Sequence, residues 1–254
     1  MTRKIVFLTG TRADFGKLSS LMDSVESDNT FECHIFVTGM HTLEKYGNTF
    51  DEIQKKGYKN ITVFDNQTDA NQQDIILAKT IIGFSEYIKK NSPDMIIVHG
   101  DRIEALAGSI VGSFNNILVS HIEGGEISGT VDELIRHAVS KLSHIHFTAN
   151  DEAKERLVQL GESKNSIFTI GSPDIHVMTS VELPTINEVL NHYEIPFKDF
   201  GVFIFHPVTT ELDTLAEQIN EVILSLIESN KNFIVIYKTS LILFSFIITS
   251  SFIM

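Results

Sequence analysis

Acidic and imidazole side chains gather where the central apolar stretch of this chain ends. Residues 117–122 form an apolar run that is typical of a buried strand, and Glu123 follows it directly in the sequence HIEGGE. The next helical pattern starts at about residue 132 and carries Glu133, Arg136 and His137 on one face, because they are spaced i, i+3 and i+4. Ligands of open α/β sheets bind where strands end and helices begin. These residue types predict acid–base chemistry at that edge.

A second strand end carries a similar group. The apolar residues 95–98 are followed by His99-Gly100-Asp101-Arg102, and we expect Asp101 at or near the N-cap of the next helix. Period two along a strand predicts that His99 and Asp101 share one side, and that His121 and Glu123 do likewise. Asp101, Glu123 and Glu133 should then converge near Arg12. Clustered carboxylates push their pKa values apart, which acid–base catalysis needs; the alternative for each is a helix cap or a solvated charge.

The first strand, residues 4–9, runs into a glycine-bounded stretch with two cations. Residues 10–17 read GTRADFGK and precede a helical pattern that starts at Leu18, an arrangement that suits anion binding. It is not a P-loop, because five residues separate the glycines and Leu18 stands where Ser or Thr should bind magnesium. We interpret it as a loop whose Arg12 and Lys17 face a phosphate or sugar. The alternative is a tight turn with two solvated charges.

Composition narrows the class of protein. The chain has 254 residues, of which 43% are hydrophobic and 21% charged, as in ordinary soluble globular proteins. A net charge of -13 argues against a nucleic-acid partner. Cys33 is the only cysteine, so no intrachain disulfide is possible, which fits a reducing, cytoplasmic compartment. The apolar run at the N-terminus is too short for a signal peptide.

Short apolar runs alternate with helical patterns along the chain, which predicts an α/β fold with a doubly wound parallel sheet. We expect a first domain over residues 1–172, which carries the carboxylates, and a partial second domain over 173–238. The expected helices include residues 43–56 and 72–90. A single strand–helix–strand unit near residues 200–237 leaves sheet edges uncovered, so the second domain looks incomplete.

The last sixteen residues, 239–254, have no charge, glycine or proline. The segment is short for a membrane span, which needs about 20 apolar residues, and it has no clean period. We expect it to be aberrant sequence on a truncated copy of a longer protein. Membrane anchoring is the alternative.

Seven motifs occur together in a familiar order: TGTRADFGKL, VTGMH with YGNT, HGDR, HIEGGE, DELIRH with KLSHIHF, IGSPD and FHP. In this order the chain resembles the hydrolysing UDP-N-acetylglucosamine 2-epimerases of bacterial sialic-acid synthesis. Those enzymes are similar to the non-hydrolysing epimerases, and both groups have two Rossmann-like domains in a glycosyltransferase-B-like fold. The resemblance covers residues 4–237 and stops at the tail.

The resemblance implies a reaction without metal or other cofactor. A base removes the proton at C2 of the sugar while UDP leaves C1, and water then adds to the 2-acetamidoglucal to release N-acetylmannosamine. By motif, Asp101, Glu123 and Glu133 match the family's catalytic acids. The residues that match its substrate-binding positions are Arg12, Lys17, Arg136 and His206. A UDP-sugar is the implied partner, in a homodimer or homotetramer without membrane attachment.

The resemblance also implies that this chain lacks a substrate-binding segment of the family. The family's Gly-Asn-Ser-Ser-type loop and the following Glu, which hold the uridine and diphosphate, have no counterpart here. Remote binding energy drives such chemistry, so we expect little or no activity from this chain alone.

Other functions stay open at this point. The sugar is either N-acetylglucosamine or the 2,4-diacetamido-trideoxy sugar of legionaminic acid synthesis, and the outcome is hydrolysing or non-hydrolysing. A different class is a metal hydrolase that uses His99, Asp101, His121 and Glu123 as ligands. Another is a non-catalytic fragment that binds a full-length subunit.

Overall fold

The computed structural model describes residues 2–47, 49–67, 72–129, 131–179, 183–205, 213–238 and 243–248. The chain divides into two compact units, residues 1–180 and 181–254. The sequence predicted this boundary at 172/173, before a short helix that falls in the first unit.

A seven-stranded, all-parallel sheet forms the first unit. Its strands are β1 (Arg3–Thr9), β2 (Phe31–Val37), β3 (Asn60–Val63), β4 (Met95–His99), β5 (Leu118–Ile122), β6 (Ile145–Thr148) and β7 (Ile167–Thr169). The spatial order is β3-β2-β1-β4-β5-β6-β7, so the direction of winding reverses between β1 and β4. This order confirms the predicted α/β doubly wound fold.

Helices connect the strands, and short 3₁₀ turns cover Gly39–Thr42, Glu44–Tyr46 and Lys164–Ser166. The helices are α1 (Arg12–Ser27), α2 (Phe50–Lys55), α3 (Gln73–Asn91), α4 (Ile103–Phe114), α5 (Val131–Lys141), α6 (Asp151–Gln159) and α7 (Pro173–Met178). Strand β1 shows why both faces are covered. Phe7 packs in a core with Leu18 and Met22 of α1, whereas Val6 and Leu8 pack in the core on the opposite face. Alternating apolar residues therefore bury both faces of the sheet.

Two local predictions were wrong. The glycine-bounded loop is shorter than expected, because Thr11 is an N-cap whose hydroxyl accepts a hydrogen bond from Asp14 N, so α1 begins at Arg12. The helix expected over residues 43–56 covers only Phe50–Lys55. His41 and Thr49 hydrogen bond at 2.7 Å. A continuous helix from residue 43 would carry residue 49 roughly 9 Å along its axis, so the chain folds into 3₁₀ turns instead.

The second unit holds a small sheet in the order β10-β9-β8, formed by β8 (Gly201–Ile204), β9 (Phe233–Lys238) and β10 (Leu243–Ile248). Its helices are α8 (Ile186–His192) and α9 (Leu215–Glu228). Strands β8 and β9 are parallel, and β10 pairs with β9 in antiparallel fashion. Part of the apolar tail is thus a strand, and the interpretation of residues 239–254 as aberrant sequence stays a prediction. Among the described residues, no helix has the length and apolarity needed to cross a membrane.

Candidate active site

The candidate site lies at the carboxyl ends of β1, β4 and β5, where the winding of the sheet reverses. Each strand delivers one ionisable residue there: Asp14 follows β1 in the first turn of α1, His99 ends β4, and Glu123 follows β5. All three are buried. In doubly wound sheets this edge is the usual ligand crevice.

Asp14 is anchored by the start of its own helix. Its Oδ2 accepts a hydrogen bond from Gly10 N at 3.3 Å, and its Oδ1 lies 3.2 Å from His99 Nδ1. Burial alone would raise the pKa of this carboxyl group. The hydrogen bond with His99 and the charges of His99 and Arg102 outweigh burial, so the pKa of Asp14 lies below its ordinary value.

Glu123 is the centre of the site. Its Oε2 lies 3.0 Å from His99 Nε2 and 2.6 Å from Lys17 Nζ, and its Oε1 accepts a hydrogen bond from Ser172 Oγ at 2.7 Å. Burial opposes the charge, but these three donors hold the pKa of Glu123 well below its usual range. Lys17 Nζ also lies 3.3 Å from Asp174 Oδ2. Glu123 is therefore a carboxylate that is bound by three side-chain donors, Lys17, His99 and Ser172.

Backbone geometry explains why Glu123 faces these groups. Its φ is +58°, in the left-handed region, so the alternation of side chains along β5 does not continue past Ile122. His121 faces the other side of the sheet, where its Nε2 donates to Gly100 O and its Nδ1 lies 3.0 Å from Ser140 Oγ. The prediction that His121 and Glu123 share a side was wrong for this reason.

Asp101 follows β4 and meets α5. Its carboxylate forms an ion pair with Arg136, whose Nη1 also donates to the Glu123 carbonyl at 3.0 Å. The helix N-cap is Arg102, so Asp101 lies one residue before it, which agrees with a position at or near the N-cap. Gly100 has a φ of +69° and turns Asp101 away from the side of His99. Arg136 thus ties the ends of β4 and β5 together and holds Asp101 close to Glu123.

Two predicted site residues lie elsewhere. The Glu133 carboxylate accepts hydrogen bonds from the backbone N–H groups of Ser128 and Gly129, which lower its pKa. It caps its own helix turn instead of joining Glu123. Arg12 is exposed and pairs with Glu52 at 3.2 Å. His206 lies outside the described residues, so its predicted role stays a prediction.

A third buried carboxylate, Glu104, was not predicted from the sequence. It is 1% exposed, pairs with Arg102 Nε at 3.2 Å, and packs against Gly10 and Gly39 so closely that neither position has room for a Cβ. Burial of the Arg102 guanidinium would lower its pKa, but the neighbouring carboxylates of Glu104 and Asp14 raise the pKa of Arg102 above its ordinary value. The available signal was a lone carboxylate in the otherwise apolar helix IEALAGSIV. Asp14 and Ser172 gave no signal, since both types are common at helix starts.

The metal-site alternative finds no support in the geometry. Among the residues that the structure describes, no three or more His, Cys, Asp or Glu side chains are grouped to hold an ion. Of the four proposed ligands, His121 faces away from Glu123, and Asp101 is engaged by Arg136.

Comparison with known proteins places this chain in one family. Residues 23–241 match the UDP-N-acetylglucosamine 2-epimerase family. A UDP-N-acetylglucosamine 2-epimerase of Neisseria meningitidis is 46% identical over 238 residues, which are 94% of this chain and 63% of that protein. A UDP-N,N'-diacetylbacillosamine 2-epimerase (hydrolyzing) of Legionella pneumophila is 37% identical over 245 residues, covering 94% of this chain and 65% of the relative. The chain therefore spans less than two thirds of these relatives.

A solved structure agrees at the level of the fold. The crystal structure of UDP-GlcNAc 2-epimerase from Neisseria meningitidis bound to UDP-GlcNAc superposes with a TM-score of 0.80 at 20% identity, over 92% of this chain and 66% of that one. The resemblance inferred from the ordered motifs is confirmed by the family match. This chain belongs to the UDP-N-acetylglucosamine 2-epimerase family.

Proposed function

We propose that this chain carries the acid–base site of a hydrolysing UDP-N-acetylglucosamine 2-epimerase, which converts UDP-N-acetylglucosamine to N-acetylmannosamine and UDP for sialic-acid-type sugars. The observation that carries the proposal is the buried Glu123 carboxylate, held by Lys17 and His99 at the reversal point of the sheet. The 46% identity to a UDP-N-acetylglucosamine 2-epimerase supports the substrate class.

Two carboxylates on neighbouring strand ends suit a reaction that removes and returns a proton at C2. Glu123 and Asp101 are linked through Arg136. Glu123 accepts from Lys17, His99 and Ser172, which makes it a weak base in the free protein. Asp101 has Arg136 as its ion-pair partner and a more exposed side chain, at 25% against 10% for Glu123. We therefore assign C2 deprotonation to Asp101 and the stabilisation of developing charge to the Glu123 cluster.

The leaving diphosphate needs cations. Arg12 is held by an exposed ion pair with Glu52, and such pairs are worth only about 0–1 kcal/mol. A diphosphate can thus displace Glu52 at little cost. Lys17 is bound by two carboxylates and keeps its charge, because they raise its pKa above the ordinary value despite burial. We propose Arg12 as the diphosphate contact and Lys17 as the counter-ion of Glu123.

Product analysis in D₂O tests the proposal. The protein is incubated with UDP-N-acetylglucosamine, and NMR follows the release of UDP and N-acetylmannosamine and the deuterium at C2. Since the chain spans 63% of its relative, a chimera that joins residues 1–180 to the second domain of that relative is assayed in parallel. We expect C2-deuterated N-acetylmannosamine from the chimera and less from the chain alone. Release of undeuterated N-acetylglucosamine from a folded chimera would overturn the proposal.

Matched variants distinguish the roles of the Asp101 and Glu123 carboxylates. In the chimera, Asp101→Asn should abolish deuterium incorporation at C2, because the amide cannot take up the C2 proton. Glu123→Gln should slow turnover by roughly 100- to 1,000-fold, as removal of one electrostatic stabiliser usually does. If Asp101→Asn exchanges C2 at the parental rate, the assignment of the base is wrong.

A second substrate is favoured by one observation. The Legionella relative, at 37% identity, is named for the diacetamido sugar UDP-N,N'-diacetylbacillosamine. Running both UDP-sugars in the same assay ranks them by kcat/KM. Formation of a UDP-linked 2-epimer in place of the free sugar would indicate the non-hydrolysing reaction.

We also propose a cytoplasmic homo-oligomer, a dimer or tetramer. The single cysteine, Cys33, is a buried free thiol, which suits a reducing compartment. Light scattering on the purified protein measures the oligomeric state, and a monomer at assay concentration would refute it.

A further inference from the structure

His99 has a carboxylate at each ring nitrogen. Nδ1 lies 3.2 Å from Asp14 Oδ1, and Nε2 lies 3.0 Å from Glu123 Oε2. The three side chains come from three different elements, α1, the end of β4 and the residue after β5. They are also buried to a similar degree, with 7% of Asp14, 8% of His99 and 8% of Glu123 exposed. Hydrogen bonds in such a dry setting are strong when satisfied and costly when broken.

The number of hydrogen-bond donors and acceptors on these side chains determines the charge of the His99 ring. An ionised carboxylate only accepts hydrogen bonds, whereas a neutral imidazole has one N–H and one lone pair. Two carboxylate contacts therefore require a proton on both ring nitrogens, so His99 is an imidazolium. A neutral ring would leave either Asp14 or Glu123 facing a lone pair.

We propose that His99 is a positioning residue: an imidazolium, kept charged by Asp14, that fixes the direction and the ionised state of the Glu123 carboxylate. This inference rests on the proposed function for its catalytic consequence, but the state of the ring does not. His99 does not reach the open side of the site itself, so it acts through Glu123.

The surrounding charges agree with this role. Two anions, Asp14 and Glu123, face the ring directly. Lys17 binds the same Glu123 oxygen as His99, Oε2, and is shared with the carboxylate of Asp174. Arg102 acts on Asp14, and His121 on the neighbouring strand is uncharged because burial lowers its pKa to about 3. The cluster is therefore balanced only while His99 carries its proton, and Asp14 is the group that can be altered without touching Glu123.

Asp14→Asn is the discriminating substitution. The amide oxygen still accepts a hydrogen bond from Nδ1 and the size of the side chain is kept, but the negative charge and the hydrogen bond from Gly10 N are lost. One reason for the ring to stay charged disappears, and we expect the neutral ring to appear at lower pH than in the parent. Glu123 then loses a charged partner, although Lys17 and Ser172 still bind it.

The state of the ring is measured by long-range ¹H–¹⁵N NMR on protein with ¹⁵N-labelled histidine. The chain has ten histidines, and His99→Gln identifies the signals of His99. We expect imidazolium shifts for His99 at pH above the usual histidine pKa near 6.5, and a loss of that state in Asp14→Asn. His34 is the internal control, since it faces one carboxylate, Glu32, and the hydroxyl of Tyr87, and should be unmoved.

Kinetics in the chimera test the consequence. Asp14→Asn should lower kcat by on the order of 10- to 100-fold, as small misplacements of a catalytic group do, with a much smaller change in KM. The alkaline limb of its pH profile should move to lower pH. A purely structural role would lower thermal stability without moving that limb.

The outcomes are separable. A neutral His99 ring in the parent at about pH 7, or a ring unaffected by Asp14→Asn, overturns this inference whether or not the protein is active. A parental chimera that folds and releases no N-acetylmannosamine overturns the proposed function and leaves the ring measurement to decide the charge of His99.

Discussion

Mild acid should destabilise the protein through fully buried histidines, among them His121, His41 and His146. His121 donates from Nε2 to Gly100 O, which leaves Nδ1 as an acceptor for Ser140. Burial is the main cause that lowers its pKa to about 3, and the charges of His146, His99 and Arg136 act in the same direction. His41 bridges two threonine hydroxyls, and burial lowers its pKa to about 4. Both rings are neutral in the folded state.

The magnitude follows from the difference between folded and unfolded pKa values. The unfolded histidines titrate near 6.5, so at about pH 5 each binds a proton that the folded protein does not bind. Each ring therefore costs about 2 kcal/mol of the unfolding free energy between about pH 7 and pH 5, or about 4 kcal/mol together. This is a large part of a typical stability of about 5–15 kcal/mol.

Other groups of the site do not hide this loss. The pKa of His99 is raised, because its two carboxylate partners outweigh burial, so its contribution is complete below the unfolded value and is lost only as pH rises through the folded one. Asp14 and Glu123 have lowered pKa values, and their contributions are lost only at pH below the ordinary carboxylate range. The window from pH 7 to 5 therefore reports His121 and His41, together with His146, whose pKa burial also lowers.

Urea unfolding followed by circular dichroism measures the loss, since the chain has no tryptophan. The matched variant is His121→Gln, whose amide can still donate to Gly100 O but does not titrate. We expect it to be less stable than the parent at neutral pH and to lose about 2 kcal/mol less than the parent on acidification. An equal loss in the variant and the parent, or no pH dependence in the parent, would refute the reasoning.

Two further substitutions probe the frame of the site. Arg136→Lys should lower kcat of the chimera by roughly 10- to 100-fold, since one ammonium cannot replace a guanidinium that binds both Asp101 and the Glu123 carbonyl; steady-state kinetics at the parental level would contradict this. Gly39→Ala should cost about 3 kcal/mol or more in urea unfolding, because its φ is +66° and a Cβ would lie 2.5 Å from a backbone oxygen. Gly57→Ala is the control, with φ +77° and open space around it, and should cost only about 1–2 kcal/mol; equal losses would exclude the steric explanation.

Much of the sheet that carries the site was predictable, because it follows from the regular spacing of apolar residues in the sequence. The continuous apolar runs that became β4 and β5 were correctly assigned to a doubly wound parallel sheet. Parallel neighbours end at the same edge, and His99 stands opposite Ile122 in the register. This is enough to bring Asp101 and Glu123 near each other without any knowledge of side-chain conformation.

The orientation of the site residues was not predictable, because both strands leave the sheet through a left-handed residue. Gly100 and Glu123 have φ values of +69° and +58°. Period two holds only within a strand, so it misplaced Asp101 relative to His99 and Glu123 relative to His121. A glycine can be suspected of such a conformation from sequence, but a glutamate cannot, since non-glycine residues adopt it only rarely.

Because the chain is synthesised from its N-terminus, the residues that surround Glu123 become available at very different times, and Ser172 comes late among them. Lys17 and Glu123 are 106 positions apart, and Asp14 and His99 are 85 apart, so local folding cannot assemble them. Ser172, 49 positions after Glu123, is the last of the residues that hydrogen bond to Glu123 to leave the ribosome. Contacts of such separation form late, after the loops between them have closed. The charge cluster is therefore completed only when the whole seven-stranded unit has been made.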